Sequence, residues 1–440
     1  MKKKILVILD SDLYIRNYVD TGVINYLKKI YKLEILSSTK IINSKKLLQY
    51  KKTGLKFYQF DNFAEKMFFF LNDIVIFLNR KKSTSFDLRI KNHFTKISIL
   101  NKFVKIISSN RFFYYFLKKF IDFYLLKFSS IKKNIFKNNY DLIIFPSSGL
   151  DLMSYYLPLI TNKTHTKTFF LIDNWDNISS KSYYIIQPSY IGVWGEQSKE
   201  HAIRIQDFDK KKIFPIGTPR FDVYKNKSKF KKIYNFRYIL FLGSSMLSKE
   251  QEILNILNKI IENNQTLFKD VKIIYRPHPW RKKQDIVSLK ELNNVVIDKQ
   301  LKDIFTKNYY KNSFQPNLKY YPKLIYNAEI VMGGLTSMMV ESLIMKKNYL
   351  AFIFNDKDNF YNPKKRMNSM EHFKILKKIK NVKICNTLKT KIVEKFLIES
   401  WKLRKQFNNS SNYHVNKIVL KPSPSYKENL VKLINHITEN

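Results

Sequence analysis

The chain of 440 residues is 45% hydrophobic, enough to bury a sizeable core and long enough for two domains. Its single cysteine, Cys385, excludes an internal disulfide framework and a thiolate zinc cluster, and it points to a reducing compartment, the cytoplasm. Eighty Lys and Arg against 35 Asp and Glu give a net charge of +45, which favours phosphorylated substrates, nucleic acid or anionic lipid as partners.

AT-biased coding would by itself produce this Lys-, Asn-, Ile- and Phe-rich composition with only 9 Gly and 12 Pro. The basic start, Met1-Lys2-Lys3-Lys4, resembles a signal peptide, but Asp10 and Asp12 interrupt the apolar run at 5–9, which reads as a first strand. No uncharged apolar stretch approaches the ~18 residues needed to cross a bilayer.

In chain order, short β-like runs at 5–9, 33–36, 55–60, 142–145, 168–172, 191–194 and 213–216 alternate with longer helical stretches. A Lys- and Asn-rich linker at 224–237 precedes a second series at 238–242, 271–275, 295–298, 329–332, 349–354 and 382–385. Such alternation predicts parallel βαβ units, and hence an α/β chain of two doubly wound, Rossmann-like domains. The domains are expected at 1–225 and 237–400, with a helical tail at 401–440 that crosses back to the first. Residues 62–140 form a basic, aromatic insertion. Within it, 111–127 predicts an amphipathic helix with Arg111, Lys118 and Asp122 on one stripe and Phe113, Phe116, Phe120 and Tyr124 on a broad apolar face. Such a helix suits either a core or peripheral contact with an anionic membrane.

Several loops at strand ends carry chemistry. Gly243-Ser244-Ser245 follows the run at 238–242 and offers backbone N–H groups and hydroxyls to phosphate, as a plain turn would also do. Arg276-Pro277-His278-Pro279 follows 271–275, where two prolines hold a guanidinium and an imidazole in fixed directions. Arg276 would pair with phosphate, and His278 would donate to a diphosphate oxygen as the nucleotide departs. Gly333-Gly334-Leu335-Thr336-Ser337 opens a helix, so Gly334, Thr336 and Ser337 would meet phosphate, and Glu341, one turn on, suits two ribose hydroxyls. In the first domain Asp173-Asn174-Trp175-Asp176-Asn177 forms a polar acceptor-side loop. Asp176 is read there as general base, with Asp10, Asp12 and Arg16 after the first run competing, and Glu196 and His201 less suited. Arg220, in Gly217-Thr218-Pro219-Arg220, would reach the donor phosphates or simply belong to a hinge.

Asp173 to Asn177, Gly217 to Asp222, Arg276 to Pro279 and Gly333 to Glu341, in that order, resemble the GT-B glycosyltransferase-like proteins of bacterial surface-polysaccharide biosynthesis, relatives of the CDP-glycerol glycerophosphotransferases. The resemblance implies two domains facing a cleft and a metal-independent transfer with no cofactor. The second domain would hold a nucleotide-sugar donor and the first a glycan or lipid-linked acceptor, at the inner face of the cell membrane. The family's histidine carries over to His278, and its Ser-rich helix start with glutamate to Ser337 and Glu341. The family's first-domain histidine has no counterpart, since Trp175-Asp176 stands there, which argues against glycerol phosphate transfer. The remaining readings are that glycerophosphotransferase activity, a nucleotide-sugar 2-epimerase, and a basic nucleic-acid-binding protein. Nucleic acid is not an expected partner, because no RNP-like motif, zinc finger or arginine-rich repeat is present.

Overall fold

The computed structural model describes residues 2–94, 110–128, 131, 135, 138–162, 164–225, 230–245, 249–279, 281, 286–306, 315–357, 359, 362–421 and 423–439. The chain divides into two compact units. Unit 1 comprises Met1–Asp222, Met370–His372 and Asn416–Asn440, and unit 2 comprises Val223–Ser369 and Phe373–Val415. Tyr224, read as the start of a linker, is thus a buried residue of unit 2.

Unit 1 holds a seven-stranded parallel sheet in the order β3-β2-β1-β4-β5-β6-β7. Its strands are β1 (Lys4–Ile8), β2 (Lys32–Ser38), β3 (Leu55–Tyr58), β4 (Leu142–Ser147), β5 (Lys167–Ile172), β6 (Tyr190–Val193) and β7 (Ile213–Pro215). All six residues of β4 are buried, as expected of a strand covered on both faces. Alternation along β1 sends Ile5, Val7 and Leu9 to one side of the sheet and Leu6 and Ile8 to the other.

The principal helices of unit 1 are α1 (Val23–Ile30), α2 (Asn62–Leu78), α3 (Arg111–Phe128), α4 (Leu152–Thr161) and α5 (Glu196–Gln206). Asp61 caps α2, accepting from the Ala64 amide at 2.8 Å. On the Leu6 side, Phe68 and Leu71 of α2 pack with Leu117, Ile121 and Leu125 of α3. The buried stripe of α3 is therefore aliphatic, at i, i+4 and i+8, and the core reading of the aromatic face is corrected: Phe113, Phe116 and Phe120 are exposed. Much of the insertion, 95–109 and parts of 129–137, lies outside the described residues.

Unit 2 carries a six-stranded parallel sheet in the order β10-β9-β8-β11-β12-β13. Its strands are β8 (Arg237–Leu242), β9 (Val271–Arg276), β10 (Val295–Ile297), β11 (Ile330–Gly333), β12 (Tyr349–Phe352) and β13 (Val382–Cys385). Helices α6 (Glu250–Asn263), α7 (Met338–Ile344) and α8 (Thr390–Lys402) accompany it. Residues of α6 and α8, among them Leu254, Leu257, Val393 and Leu397, pack with Ile239, Ile273 and Phe352 of the strands.

The chain then returns to unit 1 as α9 (Tyr426–Glu439), whose Tyr426, Leu430, Ile434 and Ile437 join the Ile5 side of the first sheet. Burying such side chains is worth roughly 1.5–3 kcal/mol each. The chain is an α/β protein with two doubly wound sheets, the GT-B-like architecture.

Candidate active site

In an open parallel sheet ligands settle at the carboxyl ends of the strands where strand order reverses. In unit 1 that point lies between β1 and β4. A pocket of about 310 Å³ is found there, lined by Asp10, Ser11, Tyr14, Tyr58, Phe69, Ser148 and Asp151 among others. Asp10, two residues past β1, accepts from the Tyr58 hydroxyl at 3.1 Å. Asp151 caps α4, accepting from the Ser154 amide at 2.7 Å and from the Ser147 hydroxyl at 3.1 Å.

Burial, and secondarily the Asp151 carboxylate, push the Asp10 pKa well up, while the Tyr58 bond and Lys40 pull it back. Burial likewise raises Asp151 to about 6 against the opposing pull of its Ser147 and Ser154 bonds. Sequence reasoning had Asp10 as a competitor for the base and missed Asp151 altogether. The available signal was the run Ser147-Ser148-Gly149-Leu150-Asp151 at the carboxyl end of β4. Asp12 opens the short helix Asp12–Tyr14 and is not among the pocket residues; burial raises its carboxyl pKa and Lys46 lowers it.

The loop after β5 gathers a second set. Asp173 is buried, accepts from the Asn17 amide at 3.1 Å, and through its carbonyl from the Trp194 indole at 3.1 Å. Burial raises its pKa, opposed by the charges of Arg220, Lys181 and Arg16. Arg16 donates to the Asn17 side chain at 3.2 Å. Arg220 lies 4.6 Å from the centre of the Trp194 ring, a contact within unit 1.

Trp175 is 3% exposed and packs edge-on against His372 at 5.0 Å. Asp176 lies 3.4 Å from the Lys181 ammonium through Oδ2, while its buried Oδ1 has no hydrogen-bond partner among the described residues. Asn177 is 1% exposed, and neither atom of its amide is paired among those residues. Buried polar groups in this condition are rare away from ligands and waters.

In unit 2 strand order reverses between β8 and β11. Three loops converge there because glycine lets them. A Cβ on Gly243 would meet Pro277 Cα at 2.9 Å and the His278 amide at 3.1 Å. Gly333 has φ +147°, and a Cβ there would lie 2.1 Å from the Leu242 carbonyl. A Cβ on Gly334 would lie 3.4 Å from that of Ser244.

The charged side chains at this point bind one another. Arg276 is 2% exposed, donates to Asp298 at 2.9 Å and to Gln300 at 2.8 Å, and sits 4.6 Å from the Tyr321 ring centre. The expectation that Arg276 meets phosphate is therefore corrected: its fork is filled by Asp298 and Gln300. Arg281, which sequence reasoning did not single out, donates to the Ser244 carbonyl at 2.8 Å and to Glu250 at 2.8 Å. Glu250 also accepts from the Ser244 amide at 3.0 Å and from the Tyr275 hydroxyl at 2.8 Å. The Ser244 amide, expected to face phosphate, is thus held by Glu250.

Half-buried or exposed around these brackets are Ser245, His278, Gly334, Thr336 and Ser337. Burial, then the charges of Arg281 and Arg276, push the His278 pKa down to about 4, so its imidazole is neutral at pH 7. Ser337 makes no capping bond with its side chain, and the Met338 amide instead approaches the Thr336 hydroxyl at 3.4 Å. Glu341 is 6% exposed and accepts from the Tyr224 hydroxyl, a partner that competes with the ribose expected there.

No protein-family profile matches the sequence, and no curated protein matches it either. Solved structures match the fold. A Listeria monocytogenes protein assigned as UDP-N-acetylglucosamine 2-epimerase superimposes with a TM-score of 0.52 at 11% identity, covering 100% of this chain and 98% of that one. The UDP-GlcNAc 2-epimerase of Methanocaldococcus jannaschii gives 0.50 at 13% identity, covering 99% and 100%. The wall teichoic acid polymerase TagF, in an H444N form with CDPG, gives 0.50 at 12% identity, covering 100% and 89%. At these identities the likeness establishes the two-domain GT-B-like fold.

Proposed function

We propose that the chain is a glycosyltransferase that moves a sugar from a nucleotide-activated donor to a surface glycan or lipid-linked acceptor at the inner face of the cell membrane. The observation that carries the proposal is the glycine-permitted convergence of three loops at the switch point of unit 2, with Ser245, Gly334, Thr336 and Ser337 left half-buried or exposed beside it. Ser245, Gly334, Thr336 and Ser337 would receive the diphosphate. His278, neutral before the donor binds, would give it a hydrogen bond through a ring N–H and support charge on the departing nucleotide. Arg276 and Arg281 shape these loops rather than touch the donor.

In unit 1 the acceptor hydroxyl would give its proton to Asp10. Its raised pKa brings it nearer the operating pH, as a general base requires, and it stands in a pocket large enough for a sugar hydroxyl to approach. Asp176 is the second candidate, favoured by its unpaired buried oxygen.

Thermal-shift screening of UDP-, GDP-, CMP- and CDP-linked donors, followed by NMR of the responding donor with and without glycan acceptor, tests the reading. Free nucleotide formed only with acceptor present supports transfer. Epimerised donor without acceptor means a 2-epimerase, and a response to CDP-glycerol alone means glycerophosphate transfer. His278→Ala should abolish turnover, and normal activity in that variant removes the donor site from this loop.

A further inference from the structure

Helix α3 carries more large apolar residues than its core stripe uses. Leu117, Ile121 and Leu125 fill that stripe, which leaves Phe112 81%, Phe116 65% and Phe123 59% exposed, with Tyr115 and Phe128 at 60%. Exposed Arg111, Lys119 and Lys127 run along the same helix, and the Lys127 ammonium lies 5.4 Å from the ring centres of both Phe123 and Phe128.

The apolar surface continues onto α2. Phe63, 48% exposed, packs edge-on against Tyr124 of α3 at 5.1 Å. One and a half turns along α2, Phe69 is 51% exposed and also lines the switch-point pocket that holds Asp10 and Asp151. A patch this large on a monomer needs a cover.

Charge selects the cover. A second copy would set one basic chain of net charge +45 against another and bring like-charged helices face to face. No described helix is long and apolar enough to cross a membrane. Aromatic rings flanked by Lys and Arg match the headgroup layer of an anionic bilayer, where the rings settle at the acyl boundary and the cations meet lipid phosphate.

We infer that the α2–α3 aromatic face seats the protein on an anionic lipid bilayer, with Phe69 joining the seated face to the acceptor pocket. The delivery of a lipid-linked acceptor through that junction rests on the functional reading above; the docking itself does not.

Co-sedimentation of the full chain with vesicles of mixed phosphatidylglycerol and phosphatidylcholine, and with phosphatidylcholine alone, tests the docking. Binding is expected to the anionic vesicles, falling with salt. Phe112→Ser, Phe116→Ser and Phe123→Ser combined should lower it by roughly tenfold or more while the thermal midpoint holds, because these rings contribute little to the core. Lys119→Glu with Lys127→Glu should lower binding to anionic vesicles through the charge alone. Absence of binding by the unaltered chain, or undiminished binding by the triple Phe variant, overturns the inference. So does a dimer in analytical ultracentrifugation that the triple variant dissolves, since the face would then belong to a second copy. Donor turnover with a soluble acceptor should survive in the triple variant. Vesicle binding without any donor turnover would defeat the functional reading and leave the docking intact.

Discussion

In unit 1 the loops after β1 and β4 enclose a pocket with two interacting carboxylates, Asp10 and Asp151. In unit 2 the corresponding loops after β8 and β11 close on each other through glycine, and the arginines beside them are held by Asp298 and Glu250. One topology has thus been furnished in two ways. Where burial and crowded carboxylates outweigh the charge of Lys40, protons are held; where glycines bring loops together, an anion is invited. The difference teaches that a strand order locates a site, while the local partners of each charge decide its chemistry.

The comparison breaks most readily at Asp10. Asp10→Asn should lower transfer turnover by roughly 10²- to 10⁴-fold with the donor KM unchanged, measured by steady-state release of nucleotide. If Asp176→Asn does this and Asp10→Asn does not, the pocket is not the proton site. On the unit 2 side Arg276→Met would leave Asp298 buried without its cation. It should cost about 3–5 kcal/mol of stability, with Asp298→Asn in the same chain restoring part of it in denaturant unfolding. Loss of donor affinity without loss of stability would return Arg276 to the phosphate. Gly333→Ala forces a side chain into φ +147° against the Leu242 carbonyl. The backbone strain alone is worth roughly 1–3 kcal/mol, and the thermal midpoint should fall accordingly.

The smallest effect sharpens the contrast through pH. His278 is pushed down to about 4 from 6.5, so it contributes stability above pH 6.5 that is lost as pH falls towards 4. Asp151 is raised from 3.8 to about 6, so its contribution is present below 3.8 and lost as pH rises through 6. Thermal midpoints across pH 3.5–8 should therefore lose an acid-side fall in His278→Gln and a rise-linked fall in Asp151→Asn. Identical pH profiles in the two variants would end the contrast.

The strands were legible because parallel strands covered on both faces are continuous apolar runs, and β4 and β5 show this at nearly every position. Loop glycines were legible for the same local reason. What each charge does was not. Arg276 and Asp298 are 22 positions apart, and Arg281 and Glu250 are 31 apart, so their pairing depends on which strands become neighbours. Asp151 was not legible as a pocket residue because the position that lines the pocket is also the cap of α4. Along α3 the choice between Phe and Leu as the core stripe was decided by packing against α2, which periodicity alone does not contain.

Helix α9 gives the architecture an order in time. Its Tyr426 lies edge-on to Tyr18, and Leu430 and Ile434 complete the same apolar layer as Ile5 and Val7. Because these residues leave the ribosome after all of unit 2, the sheet translated first is the one whose core closes last. During synthesis unit 2 can finish folding while one flank of the older sheet is still waiting for its cover. A released chain truncated before residue 416 is thus expected to be protease-resistant in its middle and sensitive in its opening third.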